Sequence, residues 1–220
     1  DFASPDSIEL SASRNFVFCT SKEKDSLHMW NYYIHNNNYQ GYNIGFDIYK
    51  FIKSFDVANK GDALDPIFFY YGEVIYNKEQ QLKAIKTICD KIEAEKSKNF
   101  PEKSMVDLHR YICSYGMFFK DKSFSDEKEY RVLTEISESR VNNDRKNYAN
   151  KFNQKIKLDF YERNGMIVPC LMVPFDTSAV KRITMAPIME KGIAQSGVEE
   201  FLKVNNFENV EVKPSEIPIR

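Results

Sequence analysis

The chain has 220 residues, of which 42% are hydrophobic and 29% are charged, and its formal net charge is -1. This composition is typical of a folded globular protein and excludes a chain that is disordered throughout. The near-neutral charge disfavours nucleic acid and anionic membranes as partners, because neither would meet a strong positive field.

The sequence shows no recognisable signal for membrane insertion, export or disulfide bonding. No run of about 18 apolar residues could span a bilayer, and no signal peptide is visible. The four cysteines are scattered without a C-x-x-C pair, as expected of free thiols in a reducing cytoplasm rather than of a disulfide framework or a zinc knuckle. We therefore expect a cytoplasmic protein with no membrane partner.

The beginning of the chain predicts two strands and one helix. Residues 1–14 are rich in Ser and Asp, and we expect a loop or the remnant of an upstream segment. An apolar run over 15–19 predicts a buried strand, and Ser26 can cap a helix over 27–35. Tyr, Ile and Phe alternate with small or polar residues over 41–47, which is typical of a half-buried strand.

Helices dominate the middle of the chain. A short helix is expected over 48–55, and an aromatic strand over 68–76. The clearest helix covers 80–98, where apolar residues recur on one face with Lys and Glu opposite. A further helix over 105–115 should end at Gly116.

A polar segment and a hairpin follow. Residues 137–154 are largely polar and predict a loop or an exposed insertion. Asn164 and Gly165 lie between the apolar segments 156–161 and 166–173, and an Asn-Gly pair in this position is the strongest short signal for a β-hairpin.

The last part of the chain predicts a strand over 180–185, a helix over 192–204 and a short strand over 210–212. Strands and helices are therefore mixed without a regular alternation, which favours an α+β fold over a doubly wound sheet. We predict a single domain over 15–220, with a mostly antiparallel mixed sheet flanked by helices.

The segment 124–133 carries the most informative side chains. Its alternation predicts a strand with Glu127, Glu129 and Arg131 on one face. Carboxylates two apart on a strand lie about 7 Å apart, so that one can polarise a hydroxyl while the other orients a nucleophile. Arg131 can bind a phosphate or a carboxylate. Alternatively, the three charges form a structural ion network, whose disruption while buried would cost about 3–5 kcal/mol.

Three side chains near the first helix are candidate ligand contacts. Trp30 is the only tryptophan, and with Tyr33 one turn later it could form a stacking platform for a base or a sugar. Ser21 could place a hydroxyl near the helix N-terminus, which favours an anionic group. The alternatives are core packing for Trp30 and plain capping for Ser21.

Signals for a metal or a nucleophile are weak. His28 and His35 are two helical turns apart, too far to share one metal ion, and no H-E-x-x-H or EF-hand spacing is present. Cys113 and His109 have helical spacing but are expected in or beside the core, and no G-x-S-x-G motif occurs. We predict no metal site and no required cofactor.

Several motifs occur in a defined order along the chain. They are Phe18-Cys19-Thr20-Ser21, Met29-Trp30-Asn31-Tyr32-Tyr33, residues 41–47, Glu127-Lys128-Glu129-Tyr130-Arg131, Met185-Ala186-Pro187 and residues 215–220. With these motifs the chain resembles, over most of its length, the bacterial domain-of-unknown-function family numbered 2971. That family more often has Gly-Pro where this chain has Ala186-Pro187, and it usually has an upstream Asn-Asp-Pro segment that these residues lack.

The resemblance implies a site but no settled reaction. Genes of this family are often carried by mobile elements, so the resemblance implies a bacterial toxin or a phage-defence effector. By analogy, ADP-ribosyltransferases place a Ser or Tyr before a catalytic Glu on a strand, often in Glu-x-Glu, and Ser21, Tyr33 and Glu129 occur in a compatible order. In that arrangement Glu129 stabilises the oxocarbenium-like transition state of NAD cleavage, Glu127 orients the acceptor, and Tyr33 or Trp30 stacks on nicotinamide.

Two functions are therefore expected. The first is an enzyme that acts on a nucleotide, in its most concrete form an NAD-consuming ADP-ribosyltransferase or glycohydrolase with catalytic Glu127 and Glu129. Its substrate-binding residues would be Ser21, Trp30, Tyr33 and Arg131. The second is a non-catalytic module that binds a small ligand or a partner protein through the Glu-x-Glu-x-Arg face and regulates a linked effector.

Overall fold

A computed structural model describes residues 13–34, 40–58, 67–96, 110–137, 156–187 and 191–218. Contacts within the chain divide it into two compact units, each made of two chain segments. The first unit comprises Asp1–Thr20 and Asn59–Met172, and the second comprises Ser21–Ala58 and Val173–Arg220.

Strands and helices follow one another without a regular repeat. The strands of the described residues are β1 (Ser13–Ser21), β2 (Tyr42–Phe46), β3 (Phe68–Glu73), β4 (Glu129–Ser137), β5 (Lys157–Arg163), β6 (Met166–Met172), β7 (Val180–Met185) and β8 (Glu211–Pro214). The α-helices are α1 (Leu27–Ile34), α2 (Ile48–Ala58), α3 (Lys78–Lys96) and α4 (Lys191–Val204), and residues 110–116 are also helical. Short 3-10 helices cover Lys122–Glu127 and Thr177–Ala179. No helix in the described part of the chain has the length and the apolar composition of a membrane-spanning segment.

β4 is the central strand of the first unit's sheet, between β1 and β3. It is antiparallel to β3, and just beyond β3 the chain forms a parallel bridge between Ile75 and Phe119. The middle of β4 is buried at consecutive positions rather than at alternate ones, including Val132 and Leu133. A strand with such a continuous buried run is covered on both faces, so β4 is a core strand.

β5 and β6 form a separate two-stranded antiparallel sheet. Asn164 and Gly165 connect them with φ angles of 52° and 79°. Two successive residues with positive φ are the geometry of a type I′ turn, whose twist matches that of the paired strands. The hairpin predicted from the Asn-Gly pair is therefore confirmed.

The sheet of the second unit has the order β2-β7-β8, with β2 antiparallel and β8 parallel to β7. One face packs on α4 through a cluster that includes Ile183 of β7, Val212 of β8 and Leu202 of α4. Because side chains alternate along a strand, Arg182 and Thr184 of β7 project from the opposite face. The sheet thus has one apolar face and one polar face.

The α+β fold class predicted from the sequence is confirmed. The β2–β7, β3–β4 and β5–β6 pairs are antiparallel and β7–β8 is parallel, as a mostly antiparallel mixed arrangement requires. The strands of the described residues form three sheets rather than one. Where both ends are described, helix and strand positions agree with the prediction within a few residues, with β3 ending at Glu73 rather than at residue 76. The predicted helix start at residue 105 and helix end at residue 98 lie outside the described residues.

The predicted N-terminal loop and polar insertion lie mostly outside the described residues. Residues 13–14 belong to β1 rather than to a loop, because the strand begins two residues earlier than its apolar run. Of the insertion predicted over 137–154, Ser137 is instead the last residue of β4. The rest of the insertion and residues 1–12 of the predicted loop lie outside the described residues. The single-domain boundaries over 15–220 stay a prediction.

The hairpin turn gives a test of backbone conformation. Gly165→Ala should lower the free energy of unfolding by about 1–2 kcal/mol, because an L side chain is strained in the left-handed region. Gly116→Ala is the matched control, since a Cβ at Gly116 meets nothing within 4 Å and its φ is not positive. That control should change the free energy by less than about 1 kcal/mol or raise it. Urea unfolding measures both, and equal effects would contradict the turn geometry.

Candidate functional site

Four charged side chains meet at the start of β4 in the first unit: Lys120, Glu127, Glu129 and Arg131, hereafter the ion cluster. The Lys120 ammonium pairs with a carboxylate oxygen of Glu127 and lies 3.0 Å from Oε1 of Glu129. The Arg131 guanidinium approaches Oε2 of Glu129 with Nε at 2.7 Å and with Nη2 at 2.5 Å. Each carboxylate oxygen of Glu129 therefore has its own cation.

Glu127 reaches the ion cluster from a helix end, so the predicted strand from Glu127 was wrong at that residue. Glu127 is the last residue of a 3-10 helix that is capped by Asp121, whose carboxylate accepts a hydrogen bond from the Ser123 N–H at 2.9 Å. Lys128 then has a φ of 43°, and β4 begins only at Glu129. Because a left-handed residue redirects the chain, the two-residue period of a strand does not extend back across Lys128.

The carboxylates of the ion cluster lie deeper than its cations. The Glu127 and Glu129 side chains are 6% and 5% exposed, whereas those of Lys120 and Arg131 are 22% and 15% exposed. The more accessible part of the cluster is thus cationic. Lys120 and Arg131 are the groups that could hold a phosphate or a carboxylate of a ligand.

Further hydrogen bonds fix the geometry of the ion cluster. The Glu129 N–H donates to the Tyr76 hydroxyl oxygen at 2.9 Å, and Nη1 of Arg131 donates to the Met117 carbonyl. Burial raises the pKa of Tyr76, so this partner is a neutral phenol at physiological pH. These contacts hold Glu129 and Arg131 in one arrangement, as a preorganised site requires.

The charges of the cluster stabilise one another. Burial opposes ionisation of Glu129, but the hydrogen bond from Lys120 and the charge and hydrogen bond of the Arg131 guanidinium hold the pKa of Glu129 below its ordinary value. Burial also opposes the charge on Lys120, yet its bonds to the two glutamates raise the pKa of Lys120 above its ordinary value. Glu129 is therefore a carboxylate at neutral pH, suited to stabilising positive charge rather than to donating a proton.

Cys19 of β1 lies beside the ion cluster. Partial burial raises the pKa of the Cys19 thiol and the charge of Glu129 raises it further, while Arg131 opposes both effects. A thiol with a raised pKa is a poor nucleophile at neutral pH. In the part of the chain that the structure describes, no three His, Cys, Asp or Glu side chains are grouped so that they could hold a metal ion.

Sequence reasoning missed two buried or partly buried charges near this site. Glu135 is buried on the same face of β4 as Glu129, and its carboxylate accepts a hydrogen bond from the Ser114 hydroxyl at 3.2 Å. Burial and the charge of Glu135 raise the pKa of Tyr70 to about 12. Continuing the two-residue period along β4 would have found Glu135. No sequence pattern indicates the role of Lys120. It precedes the 3-10 helix, and its contacts with Glu127 and Glu129 depend on how that helix folds.

Trp30 lies in the core of the second unit. Its ring is 4% exposed and clusters with Ile34 and Ala186. Its Nε1–H donates to Oδ1 of Asp25 at 2.6 Å. In this position the ring has no open face on which a base or a sugar could stack. The position of Trp30 agrees with the alternative of core packing.

The other predicted contacts near α1 are more accessible. Tyr33 is 65% exposed. The Ser21 hydroxyl accepts a hydrogen bond from the Glu23 N–H at 3.0 Å, a local contact in the loop that leads to α1. Their roles in substrate binding stay predictions. The structure brings together Glu127, Glu129 and Arg131 in the first unit and places Ser21, Trp30 and Tyr33 in the second.

The lowered pKa of Glu129 predicts a pH-dependent contribution to stability. Folding favours the ionised form of Glu129. The ionised side chain therefore contributes its full stability above the unfolded pKa of about 4.3, and this stability is lost as the pH falls through the lowered native pKa. At pH 7, Glu129→Gln should lower the free energy of unfolding by about 2–3 kcal/mol. This is less than the loss expected when a fully buried ion pair is broken, because both cations are partly exposed. The difference from wild type should shrink below about pH 4.

Urea unfolding across this pH range checks the expectation. Asp126→Asn is the control, because Asp126 is an exposed carboxylate in the adjacent 3-10 helix. It should change the free energy of unfolding by less than about 0.5 kcal/mol. A Glu129→Gln cost that is constant from pH 7 to pH 3 would show that the carboxylate is not stabilised by its cations.

Comparison with known proteins gave one match. A family model described as a protein of unknown function (DUF2971) matches residues 29–132. This range contains all four members of the ion cluster together with Trp30. No curated protein and no solved structure matches the chain. The resemblance to family 2971 that the motifs indicated is therefore confirmed over residues 29–132.

Proposed function

We propose that the protein is an enzyme that acts on a nucleotide, with the ion cluster as its reactive centre and NAD as the substrate to test first. The observation that supports this most directly is Glu129, an ionised carboxylate with one cation at each oxygen. Burying two carboxylates beside partly buried cations is rarely the most stable solution for a core, and perturbed carboxylates concentrate at functional sites.

The proposed chemistry is cleavage of the bond between nicotinamide and C1′ of its ribose. The bonding electron pair leaves with nicotinamide, and positive charge develops on C1′ and the ring oxygen of the ribose. A fixed, ionised carboxylate stabilises that charge without reorganisation during the reaction. The lowered pKa of Glu129 supports this role at neutral pH.

Water or the hydroxyl of an acceptor then forms the new bond to C1′. Water gives hydrolysis, and an acceptor hydroxyl gives ADP-ribosyl transfer. In either case the nucleophile loses a proton, and Glu127 is the candidate base because it shares Lys120 with Glu129. Glu127 would thereby orient the nucleophile while Glu129 faces the ribose.

Substrate binding would begin at the cations. A diphosphate carries the charge that an arginine fork and a lysine ammonium bind well, and the Lys120 and Arg131 side chains are more exposed than the carboxylates. Transfer of Arg131 from Glu129 to the diphosphate would uncover the carboxylate. The substrate would then replace an internal ion pair with an intermolecular one.

We place this activity in the bacterial cytoplasm, in a toxin or in phage defence. Loss of NAD or modification of an essential target would arrest a cell, which agrees with the setting that the family resemblance implies. The described cysteines support a reducing compartment, since Cys19, Cys89, Cys113 and Cys170 are all free thiols.

The enzyme proposal predicts a large kinetic effect at Glu129. Glu129→Gln should lower the rate of nicotinamide release from NAD about a hundredfold or more, because an amide does not stabilise developing positive charge as a carboxylate does. Chromatography of reactions at millimolar NAD measures the release.

Glu135→Gln is the matched control for this experiment. Glu135 is buried on the same strand and the same face but lies outside the ion cluster. This control should retain turnover once circular dichroism has established the folded fraction of each variant. Equal turnover by wild type and Glu129→Gln, or no nicotinamide release by folded wild type, would contradict the enzyme proposal.

A second function is favoured by the burial pattern of the ion cluster. Both carboxylates are more than nine-tenths buried and already paired, while the cations are nearer the surface. A non-catalytic module would use Arg131 to anchor an anionic group of a small nucleotide or a partner protein. Glu129 would then act as the fixed counter-ion that positions the guanidinium, and ligand binding would regulate a linked effector.

The module proposal predicts binding without turnover. Arg131→Gln should weaken the binding of ADP-ribose about tenfold or more, because charge-assisted hydrogen bonds are lost. Isothermal titration calorimetry measures the affinity, alongside an assay in which wild type releases no nicotinamide. Lys122→Gln, at an exposed lysine of the neighbouring 3-10 helix, should leave the affinity unchanged. Unchanged binding by folded Arg131→Gln would exclude this role.

A further inference from the structure

The second unit contains an open cleft of about 370 Å³ whose lining is mostly charged. Its walls come from the loop 22–25, from Arg182 and Thr184 of β7, and from Lys213 and Glu216 near the end of the chain. The β7 residues belong to the polar face of the β2-β7-β8 sheet, opposite the face that packs on α4. The cleft therefore lies on the polar face of the sheet, and the loop 22–25 forms one of its walls.

The first cross-strand row of this face centres on Arg182. Gly45 of β2, Arg182 of β7 and Glu211 of β8 are register partners. Nε of Arg182 donates to Glu211 at 2.7 Å. A Cβ at Gly45 would lie only 3.2 Å from the Cβ of Arg182, so the glycine leaves room for the arginine side chain. The sequence thus places a guanidinium on the central strand of the sheet.

The second row adds a hydroxyl, an ammonium and an anchor for the loop. Asn43, Thr184 and Lys213 are register partners on β2, β7 and β8. Thr184 is buried although it is polar. The Asn43 side-chain amide donates to the Lys24 carbonyl at 3.2 Å, and this bond ties the loop to the sheet.

Asp25 fixes the other end of the loop. Its carboxylate accepts hydrogen bonds from Nε1 of Trp30 at 2.6 Å, from the Ser215 hydroxyl at 2.8 Å and from the Glu216 N–H at 2.8 Å. All these donors are neutral groups of the same unit. Asp25 therefore has a structural role, and Trp30 contributes to the cleft by holding Asp25 rather than by stacking on a ligand.

The cations at the cleft already act together on one carboxylate. The hydrogen bond from Arg182 is the main reason that the pKa of Glu211 lies below its ordinary value; desolvation opposes it, and the charges of Arg182, Lys213 and Lys24 add to the lowering. Lys22 adds a further positive charge to the lining. An anion of a ligand at the same place would be stabilised by the same groups.

We propose that this cleft binds the phosphate group of a small phosphorylated ligand, with Arg182 as the anchor and Glu211 as the internal carboxylate that the ligand displaces. An arginine fork flanked by lysines and a hydroxyl suits phosphate oxygens. The volume lies within the range of about 300–1,000 Å³ that is usual for small-molecule sites. Glu23 and Glu216, which also line the cleft, disfavour a long polyanion such as a nucleic-acid backbone. The cleft is formed within the second unit and does not depend on the function proposed for the ion cluster.

Inorganic pyrophosphate is the probe for the experiment. Titration calorimetry should detect binding to wild type, and the unfolding midpoint should rise with pyrophosphate concentration by mass action. Arg182→Gln should weaken binding about tenfold or more, because the charge-assisted bonds are lost. Glu211→Gln should strengthen binding severalfold, because the competing carboxylate is removed. If the ligand displaces Glu211, the two substitutions change the pyrophosphate affinity in opposite directions. If they only lowered stability, both would weaken binding.

Two control variants separate local contacts from net charge. Lys181→Gln removes a positive charge from the neighbouring position of β7, and Glu208→Gln removes an exposed carboxylate, and neither residue lines the cleft. Both should leave the affinity within about twofold of wild type, since exposed charges at a distance are screened by salt. Arg182→Lys keeps the charge but loses the fork, and it should bind with intermediate affinity.

Several results would overturn the proposal. These are the absence of pyrophosphate binding to wild type, an equal affinity of Arg182→Gln and Lys181→Gln, and weaker binding by folded Glu211→Gln. A single-stranded oligonucleotide that binds through Arg182 where pyrophosphate does not would assign the cleft to nucleic acid instead. Unfolding midpoints without ligand establish that each variant is folded.

Discussion

A buried carboxylate dictates the arrangement of the first unit around β4. Taking Glu129 out of water costs several kcal/mol unless its charge is compensated, and Lys120 and Arg131 provide that compensation at one oxygen each. The neighbouring backbone follows from this requirement. The 3-10 helix delivers Glu127 to the same ammonium, and the left-handed conformation of Lys128 lets the chain pass from that helix into the strand. The local fold and the proposed chemistry therefore depend on the same ion pairs.

The second unit holds a partly buried carboxylate by a different means. Asp25 is bound by neutral donors, so its environment fixes a loop without bringing cations to it. In the ion cluster, by contrast, two carboxylates and two cations balance one another. The consequence is a difference in what each site can offer a ligand. In the cluster the carboxylates are buried and their ion pairs are closed, whereas in the open cleft four cations lie beside four carboxylates, of which Glu211 is the one that we propose a ligand displaces.

Local signals predicted the fold class, the Asn-Gly hairpin and the amphipathic helices, because each depends on residues that are close in the sequence. The position of Glu127 in a 3-10 helix was not predictable in this way, since a left-handed residue other than glycine is rare and the identity of Lys128 does not indicate one. The single tryptophan could not be assigned either, because a core residue and a stacking residue have the same helical spacing. The cleft had no local signal, as Arg182 and Glu211 meet through a parallel strand pair that is joined across α4.

The division of each unit into two chain segments has a consequence for biosynthesis. The Ser21–Ala58 segment leaves the ribosome before its partners in Val173–Arg220 exist, with the whole of Asn59–Met172 made in between. During that interval α1 and α2 have no native core for side chains such as Trp30, and the hydrogen bond from Ser215 to Asp25 has not formed. Exposed apolar segments of nascent chains are recognised by chaperones and are prone to misassociate. The second unit therefore completes its core only after the last segment of the chain has been synthesised.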